Sequence, residues 1–262
     1  MHVLITNDDG VDSPGILALA HAMRDLELDV TVAAPSWDSS GASASLTAVE
    51  NDGRVVVEPR TIAGLDATVL AIEAAPAFIA RLGVDGGLGP APDLVLSGIN
   101  RGANTGQVVL HSGTVGAALT AGTQGVPAIA LSLASSAERA LWAERADLHW
   151  ATAVDVARRV VEWMLRAAAD GAEPVVLNVN VPDLPLEQVK GLRRATLATH
   201  GTVTTTVTEQ GKGYVAVAFE QPDAHTEPGT DASLLADGYA TYTPLRTVCE
   251  ATCDTAGLDD GP

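Results

Sequence analysis

Residues 2–35, HVLITNDDGVDSPGILALAHAMRDLELDVTVAAP, decide the fold class of this chain of 262 residues. The stretch begins with a short β-rich run over residues 2–6, which ends in a polar turn. After Pro14, apolar residues recur about every 3.6 residues, which predicts a helix with proline in its first turn. Residues 29–33, DVTVA, predict the next strand. A β-α-β unit of this kind predicts a parallel sheet with a right-handed crossover.

The alternation of strands and helices continues to about residue 180. Predicted strands cover residues 54–58, 67–72, 93–96, 128–132 and 174–180. Predicted helices follow Pro76 and cover about 113–123 and 138–169. We therefore predict an α/β fold built on a Rossmann-like, doubly wound and mostly parallel sheet.

The pattern changes after residue 182. Residues 202–220 alternate threonine and valine, turn at the sequence QGKG and return as YVAVAF, which predicts a β-hairpin. We expect residues 1–182 to form the α/β core. Residues 183–262 are expected to form an irregular, β-rich C-terminal extension rather than an independent domain.

Composition and charge exclude several classes of function. Asp and Glu number 33 against 15 Lys and Arg, which gives a formal net charge of −18. Such a surface disfavours nucleic-acid duplexes and anionic membranes, since both require neutralisation of phosphate by cations. The N-terminus lacks a basic signal region, and no run reaches the roughly 18 apolar residues of a membrane span. We expect a soluble, cytoplasmic protein.

The two cysteines, Cys249 and Cys253, lie near the C-terminus in the sequence CEATC. A structural metal site would need four ligands, and the last histidine is His225. Reduced thiols are favoured over a reversible disulfide, and we assign them no function.

The turn at residues 6–15, TNDDGVDSPG, contains two adjacent carboxylates at a strand end. Asp8 and Asp9 repel each other unless a cation lies between them. Oxygen ligands suit hard ions such as Mg²⁺ or Mn²⁺. A helix start with Ser13 as N-cap explains the second half of the turn, but it does not require the two acids. The motif therefore favours a metal site.

Two further polar loops follow predicted strands, where ligands of parallel sheets bind. Residues 39–47, SSGASASLT, offer hydroxyl groups for a metal or an anion, although a flexible loop explains them equally well. Residues 97–106, SGINRGANTG, place Asn100 and Asn104 at a strand end. Each asparagine alone is more often a turn residue than a ligand.

The fourth loop, residues 111–119 or HSGTVGAAL, leads directly into a predicted apolar helix. The free N–H groups and the positive dipole end of such a helix form a phosphate site. Ser112 is also suited to cap the helix, and the two roles are compatible.

Together these segments resemble the SurE family of metal-dependent phosphatases of nucleoside monophosphates. The resemblance rests on residues 6–15, 40–47, 97–106, 112–116, 229–231 (GTD) and 238–245 (GYATYTPL). It implies a β-rich C-terminal part that takes part in oligomerisation, as dimers or tetramers. It implies one divalent ion held by Asp8, Asp9, Ser40 and Asn100. It also implies that Asn104, Ser112, Gly113 and Thr114 surround the phosphate.

The chain departs from the family pattern on the expected substrate side. Residues 36–39, SWDS, stand where arginines are usual, so either a cationic contact to substrate is lost or Trp37 offers a stacking face for a base instead. Residues 73–79 read EAAPAFI in place of GTPADCV. Gln107 replaces an acid, and His111 replaces a tyrosine. Phosphatase chemistry is therefore better supported than a preference for nucleotides.

The expected reaction is hydrolysis of a phosphate monoester. Asp8 attacks phosphorus directly, or a water molecule does so with Asp8 or Asp9 as the base. His111 is a candidate proton donor to the leaving group, although a lone histidine is more often structural.

Other readings of the sequence are weaker. A haloacid-dehalogenase-like phosphatase would need Asp-x-Asp, but the turn after the first strand reads Asp-Asp-Gly-Val-Asp. A serine hydrolase would need G-x-S-x-G, which the sequence does not contain. A phosphatase of another small monoester and a catalytically silent metabolite-binding relative remain as alternatives.

Overall fold

The computed structural model describes residues 1–134, 148–201, 204–220 and 227–250. Its strands are β1 His2–Thr6, β2 Asp29–Pro35, β3 Glu50–Asn51, β4 Arg54–Val55, β5 Val57–Arg60, β6 Thr68–Ile72, β7 Leu94–Arg101, β8 Ala128–Ala134, β9 Val176–Pro182, β10 Leu192–Arg194, β11 Thr204–Gly211, β12 Tyr214–Glu220 and β13 Ala240–Leu245. Its α-helices are α1 Pro14–Asp25, α2 Pro76–Val84, α3 Gly113–Thr123, α4 Trp150–Ala169 and α5 Asp231–Ala236. Short 3₁₀ helices cover Gly106–His111 and Leu186–Gln188.

The main sheet has nine strands in the order β10-β13-β9-β8-β7-β1-β2-β6-β5. The six strands from β9 to β6 in this order are parallel, which confirms the predicted α/β fold class. The chain adds β2 and β6 on one side of β1, and β7, β8 and β9 on the other. The topological switch point therefore lies between β1 and β7, where Thr6 pairs with Ser97. Ligands of open α/β sheets bind at the carboxyl ends of strands at such a point.

Helices cover both faces of the sheet because successive strand residues point to opposite faces. Ile5 of β1 packs in one apolar cluster with Leu19 of α1 and Val160 of α4. Leu4 packs in the other cluster with side chains of α2 and α3 such as Ile79 and Val115. The two clusters fix the strand ends that carry the polar loops.

Several predicted boundaries differ from the structure. The strand predicted at 54–58 is divided between β4 and β5; β5 is an edge strand, the position at which a sheet tolerates its Pro59. β7 runs on to Arg101, beyond the predicted end at residue 96. The helix predicted over 138–169 is observed as α4 from Trp150, and residues 138–147 lie outside the described residues.

The C-terminal part contains the predicted hairpin, since β11 and β12 pair antiparallel with an irregularity between Val207 and Glu209. β10 and β13, which the sequence did not predict, belong to the main sheet. β13 pairs antiparallel with β9, and β10 pairs parallel with β13. The boundary placed at residue 182 stays a prediction.

No helix within the described ranges has both the length and the apolar character needed to cross a membrane. Cys249 is exposed, and Cys253 lies outside the described part of the chain.

Candidate active site

The turn after β1 is held by the side chain of Asn7. Its Nδ2 donates to the Gly10 carbonyl at 3.0 Å and to Ser13 Oγ at 2.7 Å. Ser13 occupies the N-cap position of α1, as predicted, but its side chain does not cap a helix N–H. Instead its hydroxyl closes the turn across Asn7. These bonds fix the backbone of Asp8 and Asp9 at the switch point of the sheet.

Asp8 is buried, at 4% exposure, and contacts the N-terminus of α3. Its Oδ1 accepts from Thr114 Oγ1 at 2.5 Å, and its Oδ2 accepts from the Thr114 N–H at 3.1 Å. A Cβ at Gly113 would lie 2.8 Å from Asp8 Oδ2, so only glycine permits this approach. Burial raises the pKa of Asp8 from 3.8 to about 6, and the neighbouring charge of Asp9 adds to the rise.

The N-terminus of α3 therefore contacts a carboxylate of the protein itself. Ser112 caps the helix as predicted, since its Oγ accepts from the Val115 N–H at 3.1 Å. A negative charge is favourable at this end of a helix. The Thr114 hydroxyl and N–H are used by Asp8, so the phosphate-binding role of Ser112, Gly113 and Thr114 stays a prediction.

Asp9 is half-buried, and its Oδ2 accepts from the Arg101 N–H of β7 at 3.1 Å. Asn100 is the residue before Arg101 in β7. Its Nδ2 donates to the Gly102 carbonyl at 2.8 Å, and its Oδ1 is the oxygen that a cation would use. β7 thus brings Asn100 beside the turn that carries the two acids.

Ser40 lies on the exposed loop that follows β2. Its hydroxyl donates to Asp38 Oδ1 at 2.6 Å, while the N–H of Ser39 donates to the Asp8 carbonyl at 2.7 Å. The loop therefore contacts the Asp8 backbone, but the Ser40 side chain points to Asp38. All four predicted ligands lie at one edge of the sheet, with the two acids in the centre.

The described residues contain no cluster of three or more histidine, cysteine, aspartate or glutamate side chains suited to a metal ion. A cation at Asp8 and Asp9 would therefore need neutral oxygen ligands as well. The hydroxyl of Ser40 and the amide oxygen of Asn100 are ligands of this type.

Asn104 is held by a polar group that sequence reasoning missed. Its N–H donates to Asn180 Oδ1 at 2.8 Å, and its carbonyl accepts from Asn178 and Asn180 at 2.8 and 2.9 Å. Its own Nδ2 donates to Ser132 Oγ at 2.8 Å. The side chain is therefore turned to β8. Two asparagines at alternate positions of an otherwise apolar strand were the signal in the sequence.

Trp37 and His111 flank the site on exposed segments. Trp37 is 43% exposed, and its loop packs on α3, where a Cβ at Gly116 would collide with the Ser43 carbonyl. His111 is exposed and ends the 3₁₀ helix that precedes Ser112. Stacking by Trp37 and proton donation by His111 stay predictions.

A small cleft beside Asp9 contains two further residues that sequence reasoning missed, Arg101 and Trp150. Its walls also include Ser13, Pro14 and Gly15. Residues 36–39 contain no arginine, but Arg101 on β7 provides a cation at the edge of the site. No local motif distinguished Arg101 from a turn residue.

Comparisons with known proteins identify the family of the chain. The family model of the survival protein SurE matches residues 3–216. A protein of Alkalilimnicola ehrlichii named 5'-nucleotidase SurE is 37% identical over 249 residues, covering 94% of this chain and 89% of the relative. A Pseudomonas putida protein of the same name is 40% identical over 251 residues, covering 94% and 92%. The crystal structure of the SurE protein from Aquifex aeolicus has a TM-score of 0.72 and 32% identity, covering 94% of this chain and 93% of that one. The chain therefore belongs to the survival protein SurE family.

Proposed function

We propose that this protein is a divalent-metal-dependent phosphatase that hydrolyses nucleoside 5'-monophosphates to nucleoside and phosphate. The observation that carries the proposal is the pair Asp8 and Asp9 at the switch point of the sheet, with Asp8 buried against the N-terminus of α3. Relatives named 5'-nucleotidase SurE support the choice of substrate.

The donor set fits one Mg²⁺ or Mn²⁺ ion. Asp8, Asp9, Ser40 and Asn100 would hold it through carboxylate, hydroxyl and amide oxygens. Each oxygen of a carboxylate accepts more than one bond, so the contacts of Asp8 with Thr114 leave capacity for an ion. The raised pKa of Asp8 reflects a buried charge beside a second acid, and a cation would offset that cost. When bound, the ion supplies positive charge that polarises the phosphoryl group.

The residues of the chain then have separate roles. Thr114 holds both oxygens of Asp8 and fixes the orientation of the carboxylate. Asp8 attacks phosphorus as the ester P–O bond breaks, and water then hydrolyses the resulting aspartyl phosphate; alternatively, Asp8 or Asp9 accepts a proton from a water molecule that attacks phosphorus and displaces the alkoxide. His111 is the candidate proton donor to the leaving alkoxide.

Hydrolysis of 3'-monophosphates and of other small phosphate monoesters is the second candidate activity. It is favoured by the exposed loop at residues 36–40, which lacks arginine and presents Trp37. A net charge of −18 makes long nucleic-acid duplexes poor substrates. We expect the attraction for a small phosphate to come from the ion, the N-terminus of α3 and Arg101.

Self-association as a dimer or a tetramer is a further part of the proposal. In the described residues the hairpin of β11 and β12 pairs with no other strand. It exposes Val207, Tyr214, Val215 and Val217, each at least 50% accessible. Apolar side chains on such a strand pair suit burial against another copy of the chain. The cytoplasmic location expected from the sequence stays a prediction.

The first experiment measures Mn²⁺-dependent hydrolysis of p-nitrophenyl phosphate, followed by a panel of 5'- and 3'-nucleotides, sugar phosphates and short polyphosphate. Asp8→Asn should abolish turnover. Asp12→Asn is the matched control, because Asp12 is an exposed acid of the same turn. Turnover near that of the wild type in Asp8→Asn, or turnover that survives a chelator, would contradict the proposal.

A further inference from the structure

A second buried carboxylate, Asp231, lies outside the pair at the switch point. Its side chain is 0% exposed. Its Oδ2 accepts from the Gly106 N–H at 2.9 Å, and its Oδ1 accepts from the N–H groups of Ala198 and Ala232 at 3.0 and 2.9 Å. One carboxylate thus joins three backbone segments that are far apart in the sequence.

The junction between these segments is tightly packed. The Gln107 N–H donates to the Ala198 carbonyl at 3.1 Å. Gly106 has a positive φ of 60°, and a Cβ there would lie 2.5 Å from the His200 carbonyl oxygen. The backbone at residues 106 and 107 therefore packs closely on residues 198–200, and the carboxylate of Asp231 is hydrogen-bonded to both segments.

Gly106 is the first residue of the 3₁₀ helix Gly106–His111. That helix ends directly before Ser112, which caps α3 at the end that contacts Asp8. Asn104 lies two residues before Gly106. The position of Gly106 therefore sets both the loop that carries Asn104 and the start of the segment that leads to Ser112, Gly113 and Thr114.

We propose that Asp231 is a positioning residue that fixes the substrate side of the active site through Gly106. The proposal rests on the proposed phosphatase function. The carboxylate of Asp231 is hydrogen-bonded to Gly106, Ala198 and Ala232 rather than to the two acids or another expected metal ligand, so its effect should fall on phosphate binding. The three N–H donors match an ionised carboxylate, which accepts at both oxygens.

Asp231→Asn tests this role selectively. The amide keeps an oxygen for Ala198 and Ala232, but its Nδ2 would face the Gly106 N–H, so two donors would meet. Small displacements of groups that position a substrate reduce activity by up to about 100-fold. We expect kcat/KM for p-nitrophenyl phosphate to fall about 10-fold to 100-fold, mainly through KM. The inhibition constant of inorganic phosphate should rise in parallel, while the Mn²⁺ concentration for half activation should stay at the wild-type value.

Glu227→Gln is the matched control. Glu227 Oε2 accepts from the Thr199 N–H at 2.7 Å, next to the same junction, but Glu227 has no bond to Gly106. Its KM and phosphate inhibition should equal those of the wild type. An equal loss in Glu227→Gln would assign the effect to general disruption of residues 196–200 and would overturn the proposal.

Other outcomes are also decisive. A folded Asp231→Asn variant with wild-type KM and phosphate inhibition overturns the positioning role, and so does a fall in kcat alone. If Asp231→Asn does not fold, Gly106→Ala strains the same junction and should raise KM. Wild-type KM in Gly106→Ala, or failure of both variants to fold, overturns the role. If the wild-type protein releases no phosphate, the proposed function fails instead. Calorimetric titration with inorganic phosphate in Mn²⁺ then compares the dissociation constants of phosphate for the wild type and Asp231→Asn. A higher constant in the variant supports the positioning role, and equal constants overturn it.

Discussion

Replacement of Asp8 by asparagine should abolish phosphate release and, at neutral pH, stabilise the metal-free protein. Asp8 is 4% exposed and carries a charge that burial disfavours. Asparagine has nearly the same shape without the charge. Both contacts with Thr114 survive the change, because the introduced amide oxygen still accepts from the Thr114 N–H and the Thr114 hydroxyl can accept as well as donate.

The magnitude follows from the pKa of Asp8, which rises from 3.8 to about 6 on folding. At about 1.4 kcal/mol per pKa unit, this rise corresponds to a cost of about 3 kcal/mol for the ionised form. Below the unfolded pKa, Asp8 is protonated in both states and the cost is absent. It grows as the pH rises through the folded pKa and is complete above it. Between the unfolded pKa of 3.8 and the folded pKa of about 6, the folded state binds more protons than the unfolded state. Its stability therefore falls as the pH rises through this range.

The assay is urea unfolding in the presence of a chelator, at about pH 4 and about pH 8. The stability difference between Asp8→Asn and the wild type should be larger at about pH 8 than at about pH 4 by about 2.4 kcal/mol, since unfolded Asp8 is already partly ionised at the lower pH. Asp12→Asn should show no such difference. Added Mn²⁺ should stabilise the wild type by mass action and leave Asp8→Asn unchanged.

The reasoning would be refuted by an Asp8→Asn variant that is less stable than the wild type at about pH 8 in chelator. It would also be refuted if the difference between the two proteins did not change with pH. Either result would mean that Asp8 is not a desolvated charge in the metal-free fold.

Three further substitutions have distinct expected effects. Gly113→Ala places a Cβ 2.8 Å from Asp8 Oδ2, so kcat/KM should fall about 10-fold or more although alanine favours helix formation. Ser112→Ala removes the cap on Val115 and should lower the free energy of unfolding by about 1 kcal/mol, as measured in urea. Arg101→Ala removes a cation from the cleft wall but keeps the main-chain bond to Asp9, so KM for phosphate monoesters should rise while Mn²⁺ activation is unchanged. Wild-type kinetics in the first or third variant, or unchanged unfolding in the second, would contradict these assignments.

The sequence predicted the central part of the fold because its signals are local. The periodicity of residues 14–26 and the apolar runs on either side predict β1, α1 and β2 without knowledge of distant residues. The acids at the end of β1 and the asparagine at the end of β7 are local signals in the same sense. Parallel strands bring their carboxyl ends to one edge, so the site could be located before its geometry was known.

The parts that were missed depend on contacts between distant residues. β10 has three residues, and its pairing with β13 is a property of the folded sheet rather than of either segment. The bond between Asp231 and Gly106 joins residues 125 positions apart. The engagement of Thr114 by Asp8 spans 106 positions, so sequence reasoning assigned these donors to phosphate alone.

The most direct test of the proposed function is a Mn²⁺ titration in which bound ion and phosphate released from a nucleoside 5'-monophosphate are measured on the same samples. Bound Mn²⁺ is counted by electron paramagnetic resonance. We predict that the rate rises in proportion to bound ion and stops rising at one ion per chain, and that Asp9→Asn loses both together. Phosphate release that is complete without bound Mn²⁺, or an ion that binds to Asp9→Asn as tightly as to the wild type, would contradict a metal site at Asp8 and Asp9.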